Sequence, residues 1–92
     1  MELIWTEQAY LDLERIVEFI ARDNIQAALE MDMLFQEAAD GLISLPRKGR
    51  PGRIPGAREL LAHEHYFLVY KVEGDTLSIV TVLHTSRQWP PK

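Results

Sequence analysis

The stretch Tyr66–His84, YFLVYKVEGDTLSIVTVLH, decides the fold. Tyr66–Val72 is rich in aromatic and β-branched residues and reads as a strand. Glu73-Gly74-Asp75 reads as a hairpin turn. Leu77–His84 is apolar on both faces, as a strand in the middle of a sheet must be when both faces are covered. Upstream, Arg58–Ala62 alternates weakly and predicts one more strand. Together these runs predict an antiparallel meander. Between Leu45 and Ala57 lies PRKGRPGRIPG, residues 46–56, with three Pro, three Gly and four bases. This segment reads as a loop, with Pro55-Gly56 at the centre of a type II turn.

The first half is helical. Glu2–Trp5 predicts a short strand, and Thr6 stands where an N-cap belongs, with Glu7 in the first turn. Over Glu7–Arg22 the apolar positions Ala9, Leu13, Ile16, Val17 and Ile20, flanked by Tyr10, follow the spacing of one helix face. Asp23-Asn24 breaks the pattern and can cap a second helix over Ile25–Leu45. Its stripe is Ala28, Met31, Leu34, Phe35, Ala38, Leu42 and Leu45, broadened by Leu29, Met33, Ala39 and Ile43. A stripe this broad implies contacts on two sides. The short join forces an antiparallel helical hairpin. The expected fold is therefore α+β in the order β-α-α-β-β-β. The hairpin packs on one face of a small, mainly antiparallel sheet, and residues 1–92 form one domain.

Composition narrows the function classes. Apolar residues make up 47% and charged residues 26%, too hydrophobic for a disordered chain. No apolar run is long enough for a membrane span, and the N-terminus lacks signal-peptide features, so a cytoplasmic protein is expected. With no cysteine, disulfides and Cys-ligated metals are excluded. The net charge of −4 is divided: residues 1–45 carry ten acids and two bases, whereas residues 46–92 carry eight bases and four acids. The division reads either as mutual attraction of the two halves or as a basic face for an anionic partner. The overall acidity argues against non-specific duplex binding.

Several motifs carry a family resemblance. They are IWTEQAYLDLERIVEFIA at Ile4–Ala21, DNIQAALEM at Asp23–Met31, LPRKGRPGRIPGARELLAHEHYFLVYKV at Leu45–Val72 and VLHTSRQWP at Val82–Pro90. In this order they resemble the RelE/ParE superfamily of toxins from type II toxin–antitoxin modules, and most of all its ParE branch. The resemblance implies a growth-inhibiting toxin, associated with plasmid stabilisation and neutralised by a cognate antitoxin. The target it implies is DNA gyrase, trapped on cleaved DNA. Operator DNA would be met only through the antitoxin, and no cofactor or metal is implied. The rival within the superfamily is a RelE-like, ribosome-dependent mRNA endonuclease.

The nuclease chemistry needs a proton donor or acceptor and well-placed cations. Where RelE-like enzymes place an arginine after the tyrosine, this chain has Phe67. Leu60-Leu61-Ala62 lacks the usual lysines. The alternative catalytic candidates are His84 and Arg87. His63-Glu64-His65 could place two imidazoles on one strand face, but offers no full ligand set for a metal. The candidates for target or antitoxin binding are Arg47, Lys48, Arg50, Arg53, Arg58, Arg87 and Trp89. Arg58 can equally form an ion pair that pins the loop to the acidic helices. Trp89 can be a core plug that locks the tail or an exposed anchor. Trp5, Tyr66 and Tyr70 are expected in the core.

Overall fold

The computed structural model describes residues 1–91. The elements are β1 (Glu2–Trp5), α1 (Glu7–Ala21), α2 (Ile25–Ser44), β2 (Arg50–Pro51), β3 (Arg58–His63), β4 (Tyr66–Glu73) and β5 (Thr76–His84). They build one five-stranded sheet in the order β1-β5-β4-β3-β2. β1 runs parallel to β5, and every other pairing is antiparallel. The expected α+β class, the helical hairpin and the meander are all present.

Local chemistry sets the helix ends. The Thr6 hydroxyl accepts the Ala9 N–H at 3.2 Å and the Asn24 side chain accepts the Ala27 N–H at 3.0 Å. Both are N-caps that satisfy a helix's orphan donors. Thr6 also donates to the Ile79 carbonyl at 2.8 Å, just where β1 ends beside β5. Further along α1, the Asp12 carboxylate accepts the Val82 N–H at 3.1 Å and the Thr81 hydroxyl. These bonds stitch α1 to the edge of β5 that β1 is too short to cover.

The two faces of the sheet have separate cores. On one face Ala9, Leu13, Phe35, Ala39 and Leu42 from the helices bury Leu68, Tyr70, Leu77, Ile79 and Val82. On the other, Ala57, Phe67, Val69 and Leu83 are covered by Ile54, Val80 and Trp89. Loop and tail, rather than a further helix, thus close the second face. Trp5 and Tyr66 pack against the first core but are only half-buried. The α2 stripe is narrower than its sequence suggests: Leu29, Met33 and Leu45 are exposed, as is Tyr10 on α1.

The segment expected to be all loop contains β2. Arg50 pairs with Glu59 and Pro51 with Arg58. The cause lies far along the chain. The buried Tyr70 hydroxyl donates to the Pro46 carbonyl at 2.7 Å and accepts the Gly49 N–H at 2.9 Å. This anchor brings the chain alongside β3. A Cβ on Gly49 would stand 2.7 Å from the Tyr70 ring and 2.8 Å from the Glu59 carbonyl, so only glycine fits. The expected Pro55-Gly56 turn is present: the Ala57 N–H bonds the Ile54 carbonyl at 3.1 Å, and Gly56 has φ 83°.

Tyr70→Phe removes that anchor and leaves a buried N–H without its partner. It should destabilise the protein by about 1–3 kcal/mol in urea unfolding. Tyr10→Phe, on the exposed helix face, should stay within about 0.5 kcal/mol of wild type.

Candidate target-binding cleft

Because β3 alternates, Glu59 faces away from the helices, toward the second core. Its side chain is only 2% exposed, and it holds two loop cations. Arg50 donates to Glu59 Oε1 at 2.9 Å. The Arg53 backbone N–H donates to Oε2 at 3.1 Å, and the Arg53 guanidinium lies 3.4 Å from Oε1. Burial works to raise the Glu59 pKa. The Arg53 N–H, the Arg50 hydrogen bond and the two positive charges outweigh it and hold the carboxyl below its ordinary value.

Arg53 is fixed from three sides. It also donates to the Trp89 carbonyl at 3.3 Å and stacks 5.4 Å above the Phe67 ring centre. Beside this cluster opens a cleft of about 520 Å³, lined by Lys48, Gly49, Arg50, Arg53, Glu59, Leu60, Leu61, Phe67 and Thr85. It has an apolar floor and a basic rim. Its chemistry suits an anionic group joined to an apolar one.

Of the binding candidates read from the sequence, the structure brings Lys48, Arg50 and Arg53 together in this cleft. Trp89 is half-buried against the second core, in the position of a plug, and its carbonyl steadies Arg53. Arg87 is exposed in the turn after β5. Arg47 lies elsewhere, beside Met1, Leu45 and Val72. Arg58 does not ion-pair with the helices. Its guanidinium donates to the Gly49 carbonyl at 2.7 Å and so braces the loop backbone. The acid that pins the loop is Glu59, which sequence reasoning passed over. Its signal was strand parity: on β3 it shares a face with Leu61, not with Arg58.

Neither member of the alternative catalytic pair lines this cleft, although Thr85, next to His84, does. The His84 ring stacks on His65 at 5.7 Å and meets the edge of Tyr66 at 5.1 Å. Its Nδ1 accepts the Ser86 N–H at 3.0 Å. His63 lies 5.6 Å from His65, so all three histidines gather at one end of the sheet. Among the described residues no group of three or more His, Asp or Glu is placed to hold a metal ion. No helix among them is long and apolar enough to cross a membrane.

Residues 3–89 match the profile of the family described as the ParE toxin of type II toxin-antitoxin system, parDE. The chain is 39% identical to the Y4kP protein of Sinorhizobium fredii over 94% of its own length and 90% of that protein's. It is 31% identical to toxin RelE2 of Caulobacter vibrioides, covering 94% and 97% of the two chains. Among solved structures, the chromosomal ParDE toxin–antitoxin system of P. aeruginosa superposes with a TM-score of 0.83 at 26% identity, covering 91% of this chain and 95% of that one. The YoeB/ParE toxin of Agrobacterium tumefaciens shares the fold, with a TM-score of 0.66 at 18% identity over 91% and 98%. This chain therefore belongs to the ParE toxin family of type II toxin–antitoxin systems. Membership implies an antitoxin as its partner.

Glu59→Gln should lower stability by about 1.5–3 kcal/mol at pH 7, toward the lower end because both arginines are partly exposed. The folded pKa is depressed, so the contribution is complete above the unfolded pKa, near 4.3, and is lost as pH falls through the folded value. Urea unfolding curves of wild type and variant should accordingly converge in acid.

Proposed function

We propose that this toxin acts by binding DNA gyrase and stabilising its cleaved-DNA complex, and that its antitoxin neutralises it. The observation that carries the reading is what occupies the superfamily's nuclease positions. Phe67, where the RelE-like enzymes carry an arginine, is buried in the second core beneath Arg53. Leu60 and Leu61 supply apolar floor where lysines would supply charge. Arg50 and Arg53, the nearest guanidiniums, share the Glu59 carboxylate, which reduces their field on a phosphate. The imidazole that ends β5, His84, has its Nδ1 engaged and its ring stacked on His65. Such a cleft can hold a partner; no imidazole lines it, and its one carboxylate, Glu59, is engaged by Arg50 and Arg53, which disfavours strand cleavage.

The likeness to toxin RelE2 of Caulobacter vibrioides keeps the ribosomal nuclease as the reading to test against. Purified toxin with gyrase, ATP and supercoiled plasmid should accumulate cleaved DNA. His84→Ala should retain most of that activity, losing at most a few-fold. If the toxin leaves gyrase untouched and cuts mRNA on the ribosome, the gyrase reading is wrong. A nuclease using His84 would then lose about 10²–10⁴-fold in His84→Ala.

A further inference from the structure

Beyond Glu59 the outer edge of β3 has no partner strand among the described residues. β2 registers only with Arg58 and Glu59, leaving the outer edge of Leu60–His63 uncovered among the described residues. Continuing the antiparallel register would bring Gly49 opposite Leu60. That continuation is blocked, because the Gly49 N–H is bound to Tyr70 and its carbonyl to Arg58. The loop turns away and leaves a slot with a backbone edge on one side. Leu61, 63% exposed, stands on that edge and lines the cleft together with Phe67. Lys48, Arg50 and Arg53 form the rim, and Glu59 is the only acid in the lining, so the slot has an excess of two positive charges.

An exposed edge, an apolar floor and a basic rim fit one kind of ligand. An extended peptide can bond the edge through its main chain, while alternate side chains fall into the cleft. One of these would be apolar, against Leu61 and Phe67, and its neighbours acidic, against Lys48 and Arg53. We infer that the β3 edge and its cleft receive an extended, acidic segment of the toxin's protein target as an added strand. This rests on the gyrase reading above. It assigns the slot to the target because the antitoxin has a different surface on offer. The acidic helical half exposes Tyr10, Phe19, Ile25, Leu29 and Met33, with the last three spaced by four along α2. A nucleic-acid backbone would use the basic rim but leave the apolar floor and the strand edge unused.

The test measures binding of labelled toxin to purified gyrase tetramer without DNA, and separately to the antitoxin. Lys48→Glu and Leu61→Glu change exposed side chains, and matching thermal melts show that both variants fold. Each should weaken gyrase binding about tenfold or more. Lys48→Glu should also flatten the salt dependence of association, as loss of a rim charge does. Antitoxin affinity should stay within about twofold in both. Unchanged gyrase binding overturns the proposal. So does a parallel loss of antitoxin affinity, which would give the slot to the antitoxin. Binding that needs DNA and is sensitive to Lys48→Glu alone overturns it in favour of a phosphate contact. A wild-type toxin that does not bind gyrase overturns the target reading itself, and this proposal with it.

Discussion

A single buried carboxylate organises the side of the molecule that faces away from the helices. Glu59 sits at the join of β2 and β3, and it fixes Arg50 through its guanidinium and Arg53 through its backbone. Arg53 in turn covers Phe67 and holds the Trp89 carbonyl. The basic loop and the tail are therefore held as one surface. Without a charge to gather them, four bases within seven residues would repel and spread. A pair in this setting contributes modest stability, because desolvation offsets much of the attraction. What it supplies is placement: the rim of the cleft is positioned before any partner arrives, which reduces the ordering cost of binding.

The helical side follows a different logic. The α1–α2 hairpin packs on the sheet through Leu13, Phe35 and Leu42, with Thr6 and Asp12 bonded to β5. Its outer surface combines acidic residues with exposed Phe19, Ile25 and Leu29. The two sides thus differ in both charge and polarity. The charge division along the sequence becomes a division between faces, suited to partners of different chemistry. This suits a toxin whose family sets it between an antitoxin and a target.

Much of the fold was legible because its determinants are local. Thr6 and Asn24 act as caps for N–H groups only three residues on, and the Pro55-Gly56 turn needs only its own two residues. The α2 stripe was over-read, since apolar spacing identifies a helix face but does not say how far the sheet beneath it extends. β2 was illegible because it depends on Tyr70, which anchors Gly49 from 21 positions away. The same holds for the histidine group: His63 and His84 each register opposite Tyr66 on different neighbours of β4, a proximity set by pairing register and not by spacing. The cleft was half legible. Its cations were named from charge alone, while Glu59 and Leu61, which give it shape, required strand parity.

The slot between the β2 loop and β3 is the surface proposed to meet the target. Hydrogen–deuterium exchange of the toxin, free and bound to gyrase, tests it most directly. Amides of an uncovered strand edge exchange readily and become protected when a strand is added. New protection is expected at Leu60–His63 on binding, with the exposed face of α2 unchanged. Protection confined to α1 and α2, with Leu60–His63 exchanging as in the free toxin, would contradict it.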